Sequence, residues 1–221
     1  MALFQNIGMW CSGSTAVFDS ADTGSTPVIP VRAASEEPLG RFSFMSAMVK
    51  GFDKSQFREV SIMIHLEKLT YENFDDVFEL KVKKVQYPFV ASNCYSVAEA
   101  YVTMICGGHV FPFAIYNDKR LVGFIQIGYG ENADQDGVSV EKDNYEIWRF
   151  MIDKRYQGRG YGREALKLAL DFIRTWPCGK AEFCWISYEP ENEIARKLYA
   201  SFGFEETGEM DGDEIVAVLK L

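Results

Sequence analysis

Residues 145–174 read YEIWRFMIDKRYQGRGYGREALKLALDFIR. The first eight are mostly apolar or aromatic and predict a strand over Tyr145–Ile152. From Gly162 the apolar residues recur with helical spacing, which predicts an amphipathic helix to about Arg174. Between the two elements three glycines alternate with larger residues: Gly158, Arg159, Gly160, Tyr161 and Gly162. A strand, a glycine loop and a helix thus follow one another directly.

This loop has the physical properties of a phosphate site. The first N–H groups of a helix lack partners within it and lie at the positive end of its dipole. Glycines let an anion approach the backbone closely, and Arg159 and Arg163 add positive charge. The Lys-Ser/Thr pair of a Walker loop is absent after Gly162, and the Rossmann spacing G-x-G-x-x-G is absent as well. We therefore expect another phosphate or pyrophosphate ligand; the alternative is a turn that only packs the helix on the strand.

The remaining pattern predicts an α/β domain with a mixed sheet. We expect further strands over residues 62–66, 110–116, 121–127, 181–186 and 214–219, and a loop over residues 128–143. Three further helices are expected, over residues 71–82 after a Thr70 cap, from Ser96 through Val102, and over residues 192–202. The turn Asn117-Asp118 makes the second and third strands a hairpin.

The first 60 residues differ from the rest of the chain. Residues 12–38 are rich in Ser, Thr, Gly, Pro and Ala and have no sustained periodicity, which is typical of a weakly structured segment. We expect an N-terminal extension of unknown role over residues 1–60 and a folded domain over residues 61–221.

Composition excludes several classes of function. The formal net charge of -9 argues against nucleic-acid binding, which needs a basic surface. The five cysteines form no C-x-x-C pair, and neither His65 nor His109 has metal-ligand spacing, so we expect neither a disulfide framework nor a metal site. No run of about 18 apolar residues predicts a membrane span. We expect a cytoplasmic protein.

Three motifs, in order, resemble the Gcn5-related N-acetyltransferase (GNAT) superfamily. Gln157–Gly162 matches the motif Gln/Arg-x-x-Gly-x-Gly/Ala, and the preceding Trp148–Asp153 resembles the central strand of the family. Asn192–Tyr199 resembles the second cofactor motif, followed by the turn Phe202–Phe204. The resemblance covers about residues 61–221. It implies a mixed, mostly antiparallel central sheet, flanked by helices, whose central strands splay apart.

The resemblance also implies acetyl-CoA as cosubstrate. Its pyrophosphate would bind the loop N–H groups, and its pantetheine arm would pair with the backbone of the central strand and with Asn192. Arg196 and Lys197 would lie near its nucleotide end. The expected cofactor-binding residues are Phe150, Met151, Ile152, Gln157, Gly158, Arg159, Gly160, Tyr161, Gly162, Arg163, Asn192, Arg196 and Lys197.

Tyr199 and Glu146 are the expected catalytic residues. Asn192 and Tyr199 are nearly two helical turns apart and so project from one face. A phenol is protonated at neutral pH and can donate a proton to the departing CoA thiolate. Glu146, expected to share a strand face with Trp148, would take the proton of the attacking ammonium. The alternatives are a helix N-cap for Asn192, a core position for Tyr199 and a solvated carboxylate for Glu146.

The sequence says less about the acceptor. Residues 90–93, 96–101 and 152–157 resemble bacterial spermine/spermidine acetyltransferases, although polyamine enzymes often carry an acid where this chain has Trp148. Carboxylates that would attract a cation are Glu72, Asp75, Asp76, Asp134, Asp136, Glu141 and Asp143. We expect acetyl transfer to a primary amine of a small molecule, such as a polyamine, by direct attack in a ternary complex. An aminoglycoside or protein acceptor and a non-catalytic acyl-CoA sensor are the alternatives. A homodimer is the assembly that the family implies.

Overall fold

The computed structural model describes residues 63–130 and 137–221. Within these ranges the strands are β1 (Ile64–Lys68), β2 (His109–Asn117), β3 (Arg120–Tyr129), β4 (Tyr145–Ile152), β5 (Phe183–Tyr188), β6 (Glu205–Asp211) and β7 (Glu214–Lys220). The helices are α1 (Phe74–Glu79), α2 (Asn93–Ile105), α3 (Tyr161–Ile173) and α4 (Glu193–Ala200), with a 3-10 helix at Lys84–Phe89.

The strands form one seven-stranded sheet in the order β1-β2-β3-β4-β5-β7-β6. Every neighbouring pair is antiparallel except β4 and β5, which are parallel. Those two strands pair at only two positions, Tyr145 with Cys184 and Glu146 with Trp185, and separate beyond them. The mixed, mostly antiparallel sheet with splayed central strands is therefore confirmed.

Helices cover both faces of the sheet. On one face, α3 and α4 pack on the larger core, which includes Ile125, Ile147, Leu166 and Tyr199. On the other face, α1 and α2 pack on a smaller core that includes Val77, Phe124 and Met151, with Val97 at its edge. Each large apolar side chain buried in this way contributes about 1.5–3 kcal/mol to folding, so the two cores hold β4 in the middle of the domain.

An extra residue interrupts β4 at Trp148. Gln126 of β3 pairs with Arg149, and the next residue, Ile127, pairs with Ile147. The alternation of side chains therefore shifts by one residue at Trp148. In the larger core the β4 positions change accordingly, from 145 and 147 to 150 and 152. The extra residue interrupts the simple alternation on which a shared face for Glu146 and Trp148 was predicted, so that shared face stays a prediction.

The first two helices begin elsewhere than predicted. α1 begins after Asn73 rather than Thr70, and it ends at Glu79 because the backbone of Leu80 is extended. The Asn73 side chain accepts from the Thr70 N–H, at 2.9 Å, so a turn forms where helix was expected. Ser92 rather than Ser96 caps α2, because its side chain accepts from the Tyr95 N–H. These polar side chains compete locally for the backbone.

Two elements were not predicted from the sequence. The 3-10 helix at Lys84–Phe89 contains Pro88, which favours a short turn over an α-helix. β6 reads EETGEMD and is mostly exposed at the sheet edge, so it has no alternation of apolar and polar residues to reveal it.

Some predictions fall outside the described residues. These are the extension over residues 1–60, the start of the first predicted strand at Ile62, and Asp134 and Asp136 in the loop before β4. Within residues 63–130 and 137–221, no helix has both the length and the apolar character needed to cross a membrane.

Candidate active site

A cavity of about 750 Å³ lies along β4 where it separates from β5. Its walls come from β4, the glycine loop, the start of α3, the end of β5, α4, the 3-10 helix and the hairpin between β6 and β7. Of the predicted site residues it is lined by Glu146, Phe150, Met151, Ile152, Gln157, Gly158, Gly160, Tyr161, Gly162, Asn192 and Tyr199. The structure thus brings residues of all three sequence motifs to one opening.

The glycine loop presents backbone donors at the start of α3. Gly158 and Gly160 have φ angles of 77° and 82°, in the left-handed region that favours glycine. Gly160 occupies the N-cap position, and no side chain of the described residues caps the helix there. The first hydrogen bond of α3 runs from the Glu164 N–H to the Gly160 carbonyl. The N–H groups of residues 160–163 therefore have no carbonyl partner within the helix. An uncapped helix start of this kind fits a pyrophosphate.

Side chains hold this loop against the end of β4. The Gln157 amide donates to the Ile152 carbonyl at 3.0 Å and to Gln86 Oε1 at 2.8 Å. A Cβ on Gly162 would lie 3.6 Å from the side chain of Ile152 and 3.7 Å from that of Phe150. The loop and β4 are therefore in close contact. The side chain of Gln157 stabilises the loop through its bonds to the protein.

Asp153 anchors the chain where β4 ends. It is 1% exposed and accepts from the Lys81 N–H at 2.9 Å, the Arg155 N–H at 2.9 Å and the Arg155 Nε at 2.7 Å. Burial alone would raise the pKa of Asp153, but the hydrogen bonds from Arg155 and Lys81 outweigh it, so the pKa is lowered. The carboxylate therefore stays charged and fixes the approach to the glycine loop.

The two arginines of the loop do not line the cavity. Arg159 donates to the Arg155 carbonyl at 3.2 Å, and Arg163 donates to Ser201 Oγ at 2.8 Å. Each is thus bonded to another part of the protein surface. Lys83, which the sequence did not single out, does line the cavity.

The two basic residues of α4 are also outside the cavity lining. Arg196 pairs with Glu206, its Nε 2.7 Å from Oε1, and Lys197 pairs with Glu193 at 2.9 Å. Their expected contact with the nucleotide end of the cofactor therefore stays a prediction, and their observed partners are intramolecular.

Asn192 and Tyr199 occupy the two ends of α4. Asn192 caps the helix, its side chain accepting from the Ala195 N–H at 3.3 Å, and it also lines the cavity. Tyr199 is 5% exposed, packs on Tyr188 and Phe204, and lines the cavity as well. Burial raises the pKa of Tyr199, so its hydroxyl remains protonated. Tyr199 therefore packs in the core and also lines the cavity.

Glu146 is a buried carboxylate of β4. It is 6% exposed, so it is not the solvated strand-end group that was one alternative. Its side chain lies over Gly128, where a Cβ would be 3.4 Å from Oε2. It lines the cavity near the point where β4 and β5 part, within the same opening as Tyr199.

Two more carboxylates line the cavity from the β6–β7 hairpin. These are Asp211 and Glu214, and Glu214 accepts a hydrogen bond from the Ser187 hydroxyl. Burial raises the pKa of Glu214 against this hydrogen bond, and Asp211 raises it further. The expected cation-attracting residues that are described, Glu72, Asp75, Asp76, Glu141 and Asp143, do not line it. Hairpin pairing far along the sequence, rather than a local charge run, brings the acids to the site.

The family model described as "Acetyltransferase (GNAT) family" matches residues 77–204, more than half of the chain. The chain belongs to this acetyltransferase family. It is therefore an acetyl-CoA-dependent N-acetyltransferase, as the three motifs predicted, and acetyl-CoA is its cosubstrate.

Named relatives and solved structures agree with this family. The spermine/spermidine N(1)-acetyltransferase of Bacillus subtilis (strain 168) is 29% identical over 151 residues, which are 67% of this chain and 91% of that protein. The aminoglycoside acetyltransferase AAC(6')-Ib, solved with coenzyme A, has a TM-score of 0.59 at 16% identity and covers 71% of this chain and 94% of its own. The spermidine N-acetyltransferase of Vibrio cholerae, solved with CoA and spermine, has a TM-score of 0.52 at 18% identity and covers 72% and 95%.

Proposed function

We propose that this enzyme acetylates a primary amine of a small polyamine, of the spermidine or spermine type, by direct attack in a ternary complex. The observation that carries the proposal is a single cavity lined both by the glycine loop and by the carboxylates of Glu146, Asp211 and Glu214. A chain of ammonium groups is attracted to carboxylates in a partly enclosed site, where screening by water is weak.

The cofactor half of the cavity is assigned to the motif residues. Acetyl-CoA, when bound, supplies the activated acetyl group. The N–H groups of residues 157–162 would hold its pyrophosphate. The edge of β4 that β5 leaves unpaired past Glu146 offers the backbone of Phe150–Ile152 to the pantetheine arm. Asn192 keeps its amide NH₂ as a donor while its oxygen caps α4.

Two side chains are assigned to proton transfer. The nitrogen of an ammonium must lose a proton before it attacks, and Glu146 would accept that proton directly or through a water. Tyr199 would donate its phenolic proton to the thiolate sulfur as the C–S bond breaks. The raised pKa of Tyr199 supports this role, because an ordinary phenol is already protonated at neutral pH and burial extends that range upward.

The balance of charge favours a polyamine over the other acceptors. Two cations, Lys83 and Arg149, also line the cavity, and the guanidinium of Arg149 is 2.9 Å from Glu99 Oε2, outside the lining. The three carboxylates outnumber these cations and form an acidic wall. The name of the relative from Bacillus subtilis supports the same acceptor. An aminoglycoside is the second candidate, because it too is polycationic and AAC(6')-Ib has this fold.

The wider setting of the enzyme is part of the proposal. Residues 61–221 would form the catalytic domain, and residues 1–60 an extension of unknown role. We also propose that the enzyme is a cytoplasmic homodimer that does not bind nucleic acid, and the net charge of -9 supports the last of these points.

Thiol release from acetyl-CoA with a panel of acceptors tests the acceptor. Spermidine, spermine, kanamycin and a peptide with a free amino terminus would be compared at equal concentrations. The proposal expects the highest kcat/KM with spermidine or spermine, and an acetylated polyamine by mass spectrometry. A higher kcat/KM with the peptide or kanamycin would contradict it.

A further inference from the structure

The ring of Tyr199 packs on a second tyrosine that has no assigned part in the reaction. Tyr188 ends β5, and its ring centroid lies 5.6 Å from that of Tyr199 with 38° between the planes. Both side chains are buried, and both line the cavity. The direction in which the Tyr199 hydroxyl points therefore depends on how Tyr188 is held.

A carboxylate on β6 holds Tyr188. The Tyr188 hydroxyl donates to Glu206 Oε1 at 2.9 Å. Arg196 forms an ion pair with the same carboxylate: a terminal nitrogen donates to Oε2 at 2.9 Å, and Nε lies 2.7 Å from Oε1. Two contacts between one guanidinium and one carboxylate fix orientation as well as distance. The three residues form one connected group.

This group connects three elements around Tyr199. Arg196 lies on α4 about one turn before Tyr199, Glu206 lies on β6, and Tyr188 lies at the end of β5. Phe204 closes another side of the Tyr199 ring, 5.8 Å away. Helix α4 is thus fixed to the sheet next to the residue that has to point into the cavity.

We infer that Tyr188, Glu206 and Arg196 form a positioning group that orients the Tyr199 hydroxyl for proton donation to the CoA thiolate. The inference rests on the proposed role of Tyr199. Burial, together with the bond to Glu206, raises the pKa of Tyr188 to about 12, so the hydroxyl stays a donor within this group.

Kinetics of Tyr188→Phe and Arg196→Gln test the inference. Tyr188→Phe keeps the ring packing and removes only the bond to Glu206. Each variant is expected to lower kcat about three- to tenfold, the effect of one lost hydrogen bond, with KM for acetyl-CoA unchanged within about twofold. Arg196→Lys keeps the charge without the planar guanidinium, and its kcat is expected to fall between those of the wild type and Arg196→Gln. Arg174→Gln is the matched control, because Arg174 also pairs with a carboxylate, that of Asp171, and lies outside the cavity lining.

The same substitutions in a Tyr199→Phe background separate positioning from general loss of structure. With the donor removed, Tyr188→Phe is expected to have no further effect on kcat, because residues that act through one another are not additive. An equal fall in both backgrounds would overturn the inference, and so would a higher KM for acetyl-CoA with unchanged kcat in Arg196→Gln. If Tyr199→Phe alone leaves kcat unchanged, the proton-donor role fails and the inference fails with it, a result distinct from the other two.

Discussion

Glu146 and Trp185 are the last backbone partners between β4 and β5. Past this pair the two parallel strands diverge, and the backbone of β4 from Trp148 onward borders the cavity instead of β5. A central strand with one unpaired edge leaves N–H and C=O groups that need a partner. The pantetheine arm of acetyl-CoA, which carries amides, is the partner that we assign to this edge.

Tyr199→Phe tests the proton donor. The ring and its packing on Tyr188 and Phe204 remain, so KM for acetyl-CoA should stay within about twofold. Loss of a general acid should lower kcat about a hundredfold or more. A large rise in KM instead would assign Tyr199 to cofactor binding. Tyr101→Phe, on the exposed face of α2, is the control.

The pH profile gives an independent check on the same residue. Because the pKa of Tyr199 is raised, its protonated form persists to higher pH than in a free phenol. An ordinary phenol titrates near 10, so ionisation of Tyr199 should not lower the kcat of the wild type between about pH 7 and pH 9.5. The pH profiles of the wild type and Tyr199→Phe should therefore have the same shape in this range. A fall in this range that the variant abolishes would argue against a buried, protonated donor.

Glu146→Gln tests the proton acceptor. The substitution keeps the shape of the side chain over Gly128 and removes its basicity. We expect kcat to fall about a hundredfold or more, with acetyl-CoA affinity unchanged by calorimetry. Glu205→Gln, at an exposed position of β6, is the control. A kcat within twofold of the wild type would mean that another group, or solvent, takes the proton.

Glu214→Gln and Asp211→Asn test the acidic wall of the acceptor site. Each should raise KM for spermidine about tenfold and leave KM for acetyl-CoA unchanged, because one attraction to an ammonium group is lost in a partly enclosed site. Asp213→Asn is the matched control, since Asp213 is an exposed residue of the same hairpin outside the cavity lining. Equal effects of all three substitutions would point to overall charge rather than to the site.

Asp153→Asn tests the anchor at the end of β4. Removing the charge that Arg155 and the Lys81 N–H satisfy should lower the free energy of unfolding by about 1–3 kcal/mol near pH 7. The pKa of Asp153 is lowered, so its stabilising effect is complete above its ordinary value near 4 and is lost as the pH falls below it. Denaturant unfolding should therefore show the gap between wild type and variant closing below about pH 4. A gap that widens there would contradict this sign.

The strand, loop and helix of residues 145–174 could be predicted because local pattern determines them: a β-rich run, alternating glycines and an amphipathic helix. The boundaries of β4 agree with the prediction, and α3 ends one residue early. The acidic wall could not be predicted, because Asp211 and Glu214 reach the cavity only through the pairing of β6 with β7 and of β7 with β5. Local sequence carries no information on such long-range contacts.

The basic residues also show that local sequence does not predict tertiary contacts. Arg159, Arg163 and Arg196 are close in sequence to the cofactor motifs, which made them candidates, yet tertiary partners hold each one outside the cavity lining. The extra residue of β4 at Trp148 was likewise not predicted. Patterns of alternation do not reveal such an insertion, because it depends on the neighbouring strand.

The affinity of the Gly158→Asp variant for acetyl-CoA tests the central claim, that the glycine loop binds the cosubstrate. Gly208→Asp is its control: both glycines have φ near +80°, and no described atom lies within 4 Å of an added Cβ at either one. The backbone strain and the added charge are thus matched, and only Gly158 lines the cavity. Calorimetric titration should show acetyl-CoA binding weakened about tenfold or more in Gly158→Asp, through repulsion of the pyrophosphate, and unchanged binding in Gly208→Asp. Equal affinities for the wild type and both variants would contradict the account.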